Sequence, residues 1–413
     1  MRTAVLLLSL VGASAAGYDP LSVSGEWMIG AYKLALSPLQ GPNVCNFSPT
    51  CSQFTKAAIR SQGFLPGALI GADRLMRCNT FAWSYYDNYY SGDIAGGRLP
   101  DPVENHIAWR RQPDEPGASA SVRPSPVSRL PSSAPVSPGP SLGFADFLYS
   151  SGEYAPAAAE YLRVRFTAGA AGLSGYAGLM AGESYLRAAD FSSARRAFLD
   201  LQPTPVVDFS RYGLARTLFA EARYPEARTV LDSITSAPLA RQARVLAGWA
   251  YFRQHRFVEG ASTIGTIEDA PPAQHLSTMD GRDIRRRSRL ASSLLSVVVP
   301  GAGQFYSGRA GDGAYSFMTV VGTGLVTCWY AADLGHRDHT GVRVSIFGVI
   351  TALFYAGNVY GANVAARDYN LLQERRYIQR ADSLFNLLPL EPDYRSLLDS
   401  AVSVAESVPG NRK

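Results

Sequence analysis

Cys45-Asn46-Phe47-Ser48-Pro49-Thr50-Cys51-Ser52, followed later by Arg74-Leu75-Met76-Arg77-Cys78-Asn79, holds all but one of the chain's 4 cysteines. The remaining one, Cys328, is remote in sequence. Cysteines gathered among apolar, helix-forming segments point to a compact module with its own covalent or metal constraint. Upstream, Trp27, Ala31, Leu34 and Ala35 make a helical stripe that Ser37-Pro38 ends. Pro49-Thr50 leads into a second helix over 52–61, where Lys56 and Arg60 share a face, and Gly63 stops it. Pro66, a favoured first-turn residue, opens a third helix ending in Arg74 and Arg77. The expectation is three short amphipathic helices with one cationic face.

This stretch resembles the YidD-type membrane protein insertion efficiency factors, also called haemolytic-domain proteins. The resemblance is carried by Tyr32, Ser37-Pro38, Gly41-Pro42, Cys45, Phe47, Pro49-Thr50-Cys51-Ser52, Gly63, Gly67 and Arg74 to Asn79. Beyond Asn79, Thr80-Phe81-Ala82-Trp83-Ser84 departs from the family's Pro- and Gly-rich close. The resemblance implies a small non-catalytic factor at the cytoplasmic membrane, beside the insertion machinery. Lys33, Lys56, Arg60, Arg74 and Arg77 are then the expected contacts to membrane or headgroups. Each cation near an anionic surface contributes about 1 kcal/mol, although cations on a short helix are ordinarily just solvated. Cys45, Cys51 and Cys78 are assigned a structural role without a metal. Three physical readings stay open for them: a disulfide between two, a metal site completed by a fourth ligand such as His106, or small buried thiols.

Residues 1–16 read as a secretory signal: Met1-Arg2-Thr3, an apolar run from Ala4 to Val11, then small residues with an Ala13-x-Ala15 site. That conflicts with a cytoplasmic factor and would permit disulfides. The chain has 413 residues, net charge +5 and pI about 9.0, a mild cationic surplus suited to a membrane surface. No nucleic-acid signature accompanies it, and no nucleic-acid partner is expected. The Cys module is bounded at 22–92, and 93–141, rich in Pro and Ser from Arg111 onwards, reads as an extended linker.

An internal repeat occupies 142–275. Tyr154, Phe191, Tyr224 and Phe257 align; three residues later each copy is small (Ala157, Ala194, Ala227, Gly260), and seven later large (Tyr161, Phe198, Leu231, Ile264). Small residues let helices approach while large ones fill the seam, so this resembles a tetratricopeptide-like α-solenoid. Its concave face is expected to take a protein partner, with a rigid spacer as the alternative.

Five arginines between Asp280 and Arg289 precede a membrane domain at 286–366. Leu290–Tyr306 is apolar but broken at Pro300, while 314–332 and 344–366 are charge-free and long enough to cross a bilayer. Gly357-x-x-x-Gly361 suits tight helix packing. Pro300-Gly-Ala-Gly-Gln-Phe-Tyr306 resembles the signature of TM2-like membrane domains, and its Gly-rich break suits a turn whose freed backbone groups need partners. An amphipathic helical tail, 367–413, docks on the membrane surface or on the repeats. Arginines on both sides of the spans and a signal peptide give opposing orientations; a three-span path with soluble parts extracytoplasmic reconciles them.

No Walker loop, His-Glu-x-x-His, Gly-x-Ser-x-Gly or dinucleotide fingerprint is present. His336-Arg337-Asp338-His339 is read as a solvated loop. The sequence therefore predicts a mainly α, non-enzymatic, multi-pass bacterial membrane protein with no catalytic residues, cofactor or small-molecule substrate. Its expected partners are membrane lipid and, through the repeats, the insertion machinery or a client. An envelope scaffold with no insertion role is the second reading.

Overall fold

The structure is a computed structural model that describes residues 20–35, 45–90, 92–94, 96–108, 140–168, 171–201, 206–267, 270–332, 340–395 and 397. It is mainly helical and divides into two compact units. The first joins the described residues up to 108 with Arg285–Arg375; the second holds those from 140 to Ile284 and from Arg376 onwards. The signal segment 1–16, the linker core 109–139, the loop carrying His336 and His339 and the end of the tail lie outside the described residues.

In the first unit, α1 (Pro20–Ala35) starts earlier than its apolar stripe suggested, and Trp27, read as part of that stripe, is 77% exposed. β1 (Phe47–Ser48) leads into α2 (Cys51–Gln62), whose first turn is closed by Gln53 accepting from the Thr50 amide at 3.1 Å. Gly63, at φ +87°, supplies the left-handed break that turns the chain into α3 (Phe64–Arg77). Phe54 and Ala58 of α2 pack with Ile70 of α3, all fully buried. A 3-10 turn at Ala82–Tyr85 and the single-turn α4 (Tyr86–Tyr89) follow.

The stretch read as the start of a linker is part of this core. β2 (Leu99–Pro100) pairs parallel with β1, Phe47 opposite Leu99, and Val103, His106 and Ile107 are buried beyond it. Leu99, Val103 and Ile107 supply the apolar surface that a solvated linker lacks.

The second unit is built from α5 (Pro140–Ser150), α6 (Tyr154–Thr167), α7 (Ala171–Arg187), α8 (Phe191–Leu199), α9 (Val207–Ala220), α10 (Tyr224–Asp232), α11 (Ala237–Arg253), α12 (Phe257–Ile264) and α13 (Pro271–Thr278). Tyr154, Phe191, Tyr224 and Phe257 each open a helix. The small column is buried, and Tyr161, Phe198, Leu231 and Ile264 are at most 4% exposed. Two residues before each aromatic stands a left-handed residue: Gly152 (φ 84°), Ala189 (58°), Ala222 (59°) and His255 (59°). Three of the four are not glycine, so the turn is held by the packing of the helices it joins.

The chain returns to the first unit with α14 (Arg289–Val298), α15 (Ala302–Tyr306), α16 (Ala310–Ala332) and the 46-residue α17 (Thr340–Phe385). At the Pro300 break, Asn358 of α17 accepts from the Gly301 amide at 2.8 Å, and Gln304 donates to the Asn358 carbonyl at 3.0 Å. Ser292 donates to the Ala362 carbonyl at 2.7 Å. The freed backbone groups are thus met inside the protein. Among the described residues one helix is long and apolar enough to cross a membrane, Gly341–Phe385. The expected three-span arrangement is not supported: α14 has 10 residues, and α16 is diluted by Gly, Thr and Tyr and carries Asp312 near its start.

No boundary falls at Ala366. α17 runs on, and its last turns join the second unit, where Tyr377, Ile378, Ala381 and Phe385 are buried in the repeat core. Phe385 stacks on Trp249 with ring centroids 5.3 Å apart, and the Trp249 indole donates to Asp382 at 2.6 Å. Of the expected tail, the turns from Arg376 to Phe385 are therefore core to the second unit.

Candidate functional site

α3 ends with two arginines three residues apart, and the structure turns both inward. Arg74 is fully buried and Arg77 4% exposed, so neither belongs to a cationic surface. The Arg74 guanidinium lies between two aromatic faces, 3.8 Å from the Phe47 centroid and 4.5 Å from that of Phe54. It pairs with Asp101 and donates to the Pro49 carbonyl at 3.0 Å. Arg77 pairs with Asp73 one turn earlier at 2.8 Å and with Asp101 at 3.0 Å. Burial would push the Asp101 carboxyl up, but neighbouring His106, Arg77 and Arg74 outweigh it and hold it well below the usual carboxylate range.

His106 is held in the same network, its Nε2 on Asp101 and its Nδ1 3.2 Å from an Arg77 nitrogen. Burial, with the charge of Arg77, keeps its pKa below the ordinary histidine value. A ring engaged at both nitrogens is not a fourth ligand for the cysteines. Tyr90 extends the network: Arg77 donates to its hydroxyl at 3.2 Å, Arg309 donates to the same oxygen, and burial pushes that hydroxyl up to about 12.

Arg309 closes the link to α16 of the same unit. It is 1% exposed, pairs with Asp312 of α16 at 2.8 Å, and lies 4.9 Å from the Tyr89 centroid. Asn79 donates to Asp312 at 2.9 Å, and the Gly311 amide donates to the Tyr85 hydroxyl at 2.9 Å. α17 approaches from another side. A Cβ on Gly361 would sit 2.0 Å from an Asp73 oxygen, and one on Gly357 2.8 Å from the Ala72 Cβ. The Gly-x-x-x-Gly pair expected to pack against another membrane helix packs against α3.

The thiols are gathered as their spacing suggested. Cys51 opens α2, Cys78 follows the last residue of α3, and Cys45 precedes β1. Cys45 Sγ is 3.3 Å from Cys51 Sγ and 3.7 Å from Cys78 Sγ, and all three sulfurs lie within 4.8 Å of one another. Hydrogen bonds from Cys51 and Cys78 draw the Cys45 thiol far below its ordinary value; bonding to Cys45 and burial push the other two up.

Of the other expected contacts, Lys56 and Arg60 are on the surface of α2 and both pair with Glu26 of α1, at 3.4 and 2.7 Å. The Lys33 side chain lies outside the described residues. Asp73, Tyr90, Asp101, Arg309 and Asp312 were missed in the sequence. One signal was available: Asp73 and Arg77 are four apart in a helix whose remaining residues, Arg74 aside, are uncharged, a spacing that pairs them.

Comparison with known proteins bears on the N-terminal part of this unit. A family model described as "Putative membrane protein insertion efficiency factor" matches residues 24–90. A protein of that description from Caulobacter vibrioides is 51% identical over 57 residues, 14% of this chain and 67% of the relative. Counterparts from Acinetobacter baumannii and Acinetobacter baylyi are each 39% identical over 62 residues, 15% of this chain and 58% of theirs. No solved structure matches the chain.

Proposed function

Because residues 24–90 make this chain a member of the membrane protein insertion efficiency factor family, we propose that it is a membrane-anchored factor assisting insertion or assembly of membrane proteins. The observation that carries this reading is the buried lock between the family domain and the apolar helices: Asn79 on Asp312, Arg309 on Tyr90, and Gly357 and Gly361 seated on α3. A family domain so joined to a helix of membrane-crossing length works at the bilayer. α17 and its neighbours also present large apolar side chains to the outside, among them Leu294, Val298, Leu325, Trp329 and Val349. Large apolar side chains exposed in such number on these helices suit lipid.

In this reading the domain is non-enzymatic. Its outward surface combines exposed Trp27, Leu65 and Leu75 with Lys56 and Arg60, side chains able to meet an interface or an apolar nascent segment. The helical repeats of the second unit recruit a protein partner. Further spans through α16, and an extracytoplasmic position for the soluble parts, belong to the same proposal. The test is the insertion rate of a multi-span client, followed by pulse labelling and protease protection in cells depleted of the protein. Slowed insertion restored by the wild-type gene supports the proposal; unchanged insertion favours an envelope scaffold.

A further inference from the structure

The buried lock explains why α3 carries its arginines and aspartate, but leaves the three sulfurs beside it without a task. They come from three separate places: two residues before β1, the first residue of α2 and the residue after α3. Nothing in chain connectivity requires them to meet, yet they lie within 4.8 Å of one another. Thiolates bound to one ion at about 2.3 Å stand roughly 4 Å apart, whether the ion takes three ligands in a plane or four in a tetrahedron. The distances of 3.3 and 3.7 Å from Cys45 are close to that spacing.

The surroundings favour sulfur as an anion. The Cys51 amide, at the N-terminal end of 12-residue α2, donates to Cys45 Sγ at 3.3 Å. Such an end stabilises negative charge. Cys45 and Cys78, each half-buried, also pack against the core of Phe47, Ala82, Tyr90 and Leu99, which shields one side of them from water. Among the described residues no imidazole or carboxylate joins the cluster. Zinc in a closed site takes four ligands, whereas an all-thiolate set of three suits a soft, singly charged ion.

We propose that Cys45, Cys51 and Cys78 form a three-thiolate seat for one soft d10 cation of the copper(I) class. The ion would tie the chain before β1 to the facing ends of α2 and α3. Binding releases one proton for each thiol that is still protonated when its metal–sulfur bond forms. This inference is independent of the role in insertion.

The test uses the full chain in detergent, reduced and stripped of metal, titrated anaerobically with copper(I) against a colorimetric copper(I) chelator. One equivalent should be retained. Cys51→Ser and Cys78→Ser should each weaken retention by at least the roughly 100-fold that loss of a supporting group alone can produce, and Cys328→Ser should leave it unchanged. Should the variants misfold, the wild type still decides: copper(I) must shield Cys45, Cys51 and Cys78 from alkylation while Cys328 stays reactive. Absence of a retained equivalent overturns the proposal, as do retention in the serine variants, selective retention of zinc over copper(I), or recovery of two of the three as a disulfide from protein purified without reductant.

Discussion

Replacing Asp101 by Asn removes one negative charge from a site where two guanidiniums and an imidazole meet. Asp101 is 2% exposed, so water cannot take over its role. Arg77 keeps Asp73 at 2.8 Å; Arg74 keeps the backbone carbonyls of Pro49 at 3.0 Å and of residue 101 at 3.3 Å and two ring faces, but loses its carboxylate. Breaking a buried pair by removing one partner costs about 3–5 kcal/mol, because the other charge stays buried and uncompensated. That is a large share of a domain's whole stability, about 5–15 kcal/mol. At 1.36 kcal/mol per decade, the open population of the module rises roughly 150- to 5,000-fold. Cys51, 9% exposed at the start of α2, reports it directly. In reduced, metal-free protein its alkylation rate, read peptide by peptide by mass spectrometry, should rise by that factor in Asp101→Asn and stay unchanged in the surface control Asp87→Asn. A double variant, Arg74→Met with Asp101→Leu, should recover most of the loss, since an apolar replacement of both partners is often neutral. A rise below about fivefold in Asp101→Asn, roughly 1 kcal/mol, would refute the view that this carboxylate holds the module together.

The depressed His106 pKa gives the fold a pH dependence. Stability is full above the unfolded-state value of about 6.5 and falls as pH drops from there towards the folded value, by at most about 1.4 kcal/mol per pH unit, because the unfolded chain takes up the proton first. Denaturation midpoints at pH 7.5 and 5.5 should show this slope, and His106→Gln should flatten it. The depressed Asp101 adds a second loss only as pH falls below about 4. In the repeats, Ala227→Leu forces a larger side chain into a fully buried position and should cost about 1–3 kcal/mol by urea denaturation of the second unit. On α17, Val349→Lys leaves the folded packing untouched, since that side chain is 69% exposed, but places a charge where lipid is expected, at about 2.5–3.5 kcal/mol. Retention in alkali-washed membranes should fall while circular dichroism stays the same.

Local signals decided much of the architecture. Gly63 ends α2 because only a left-handed residue makes that corner, and the four-copy alternation of aromatic, small and large residues marks where α6, α8, α10 and α12 begin. The three thiols were visible as a group for the same reason, being the sequence's only cluster of that chemistry. Long-range pairing was not legible. Arg74 and Arg77 read as surface cations because their partner Asp101 lies beyond α4 and their cover comes from Phe47, Phe54, Tyr90 and His106, on other elements of the unit. The stretch around Asp101 looked like linker because so few apolar residues, Leu99, Val103 and Ile107, anchor it. Ala366 looked like a boundary because charges resume at Arg367, yet helical hydrogen bonding runs unbroken through that change in solvent character.

The central claim is that the outward face of the insertion-factor domain meets lipid or a nascent membrane segment. A photoreactive amino acid at Leu65 or Leu75, both exposed on α3, tests it with ribosome-stalled membrane-protein chains in native membranes. The account predicts crosslinks from these positions to the apolar nascent segment or to lipid, and none from Leu387 in the second unit. Crosslinks confined to water-soluble proteins, or none from either position, would contradict it.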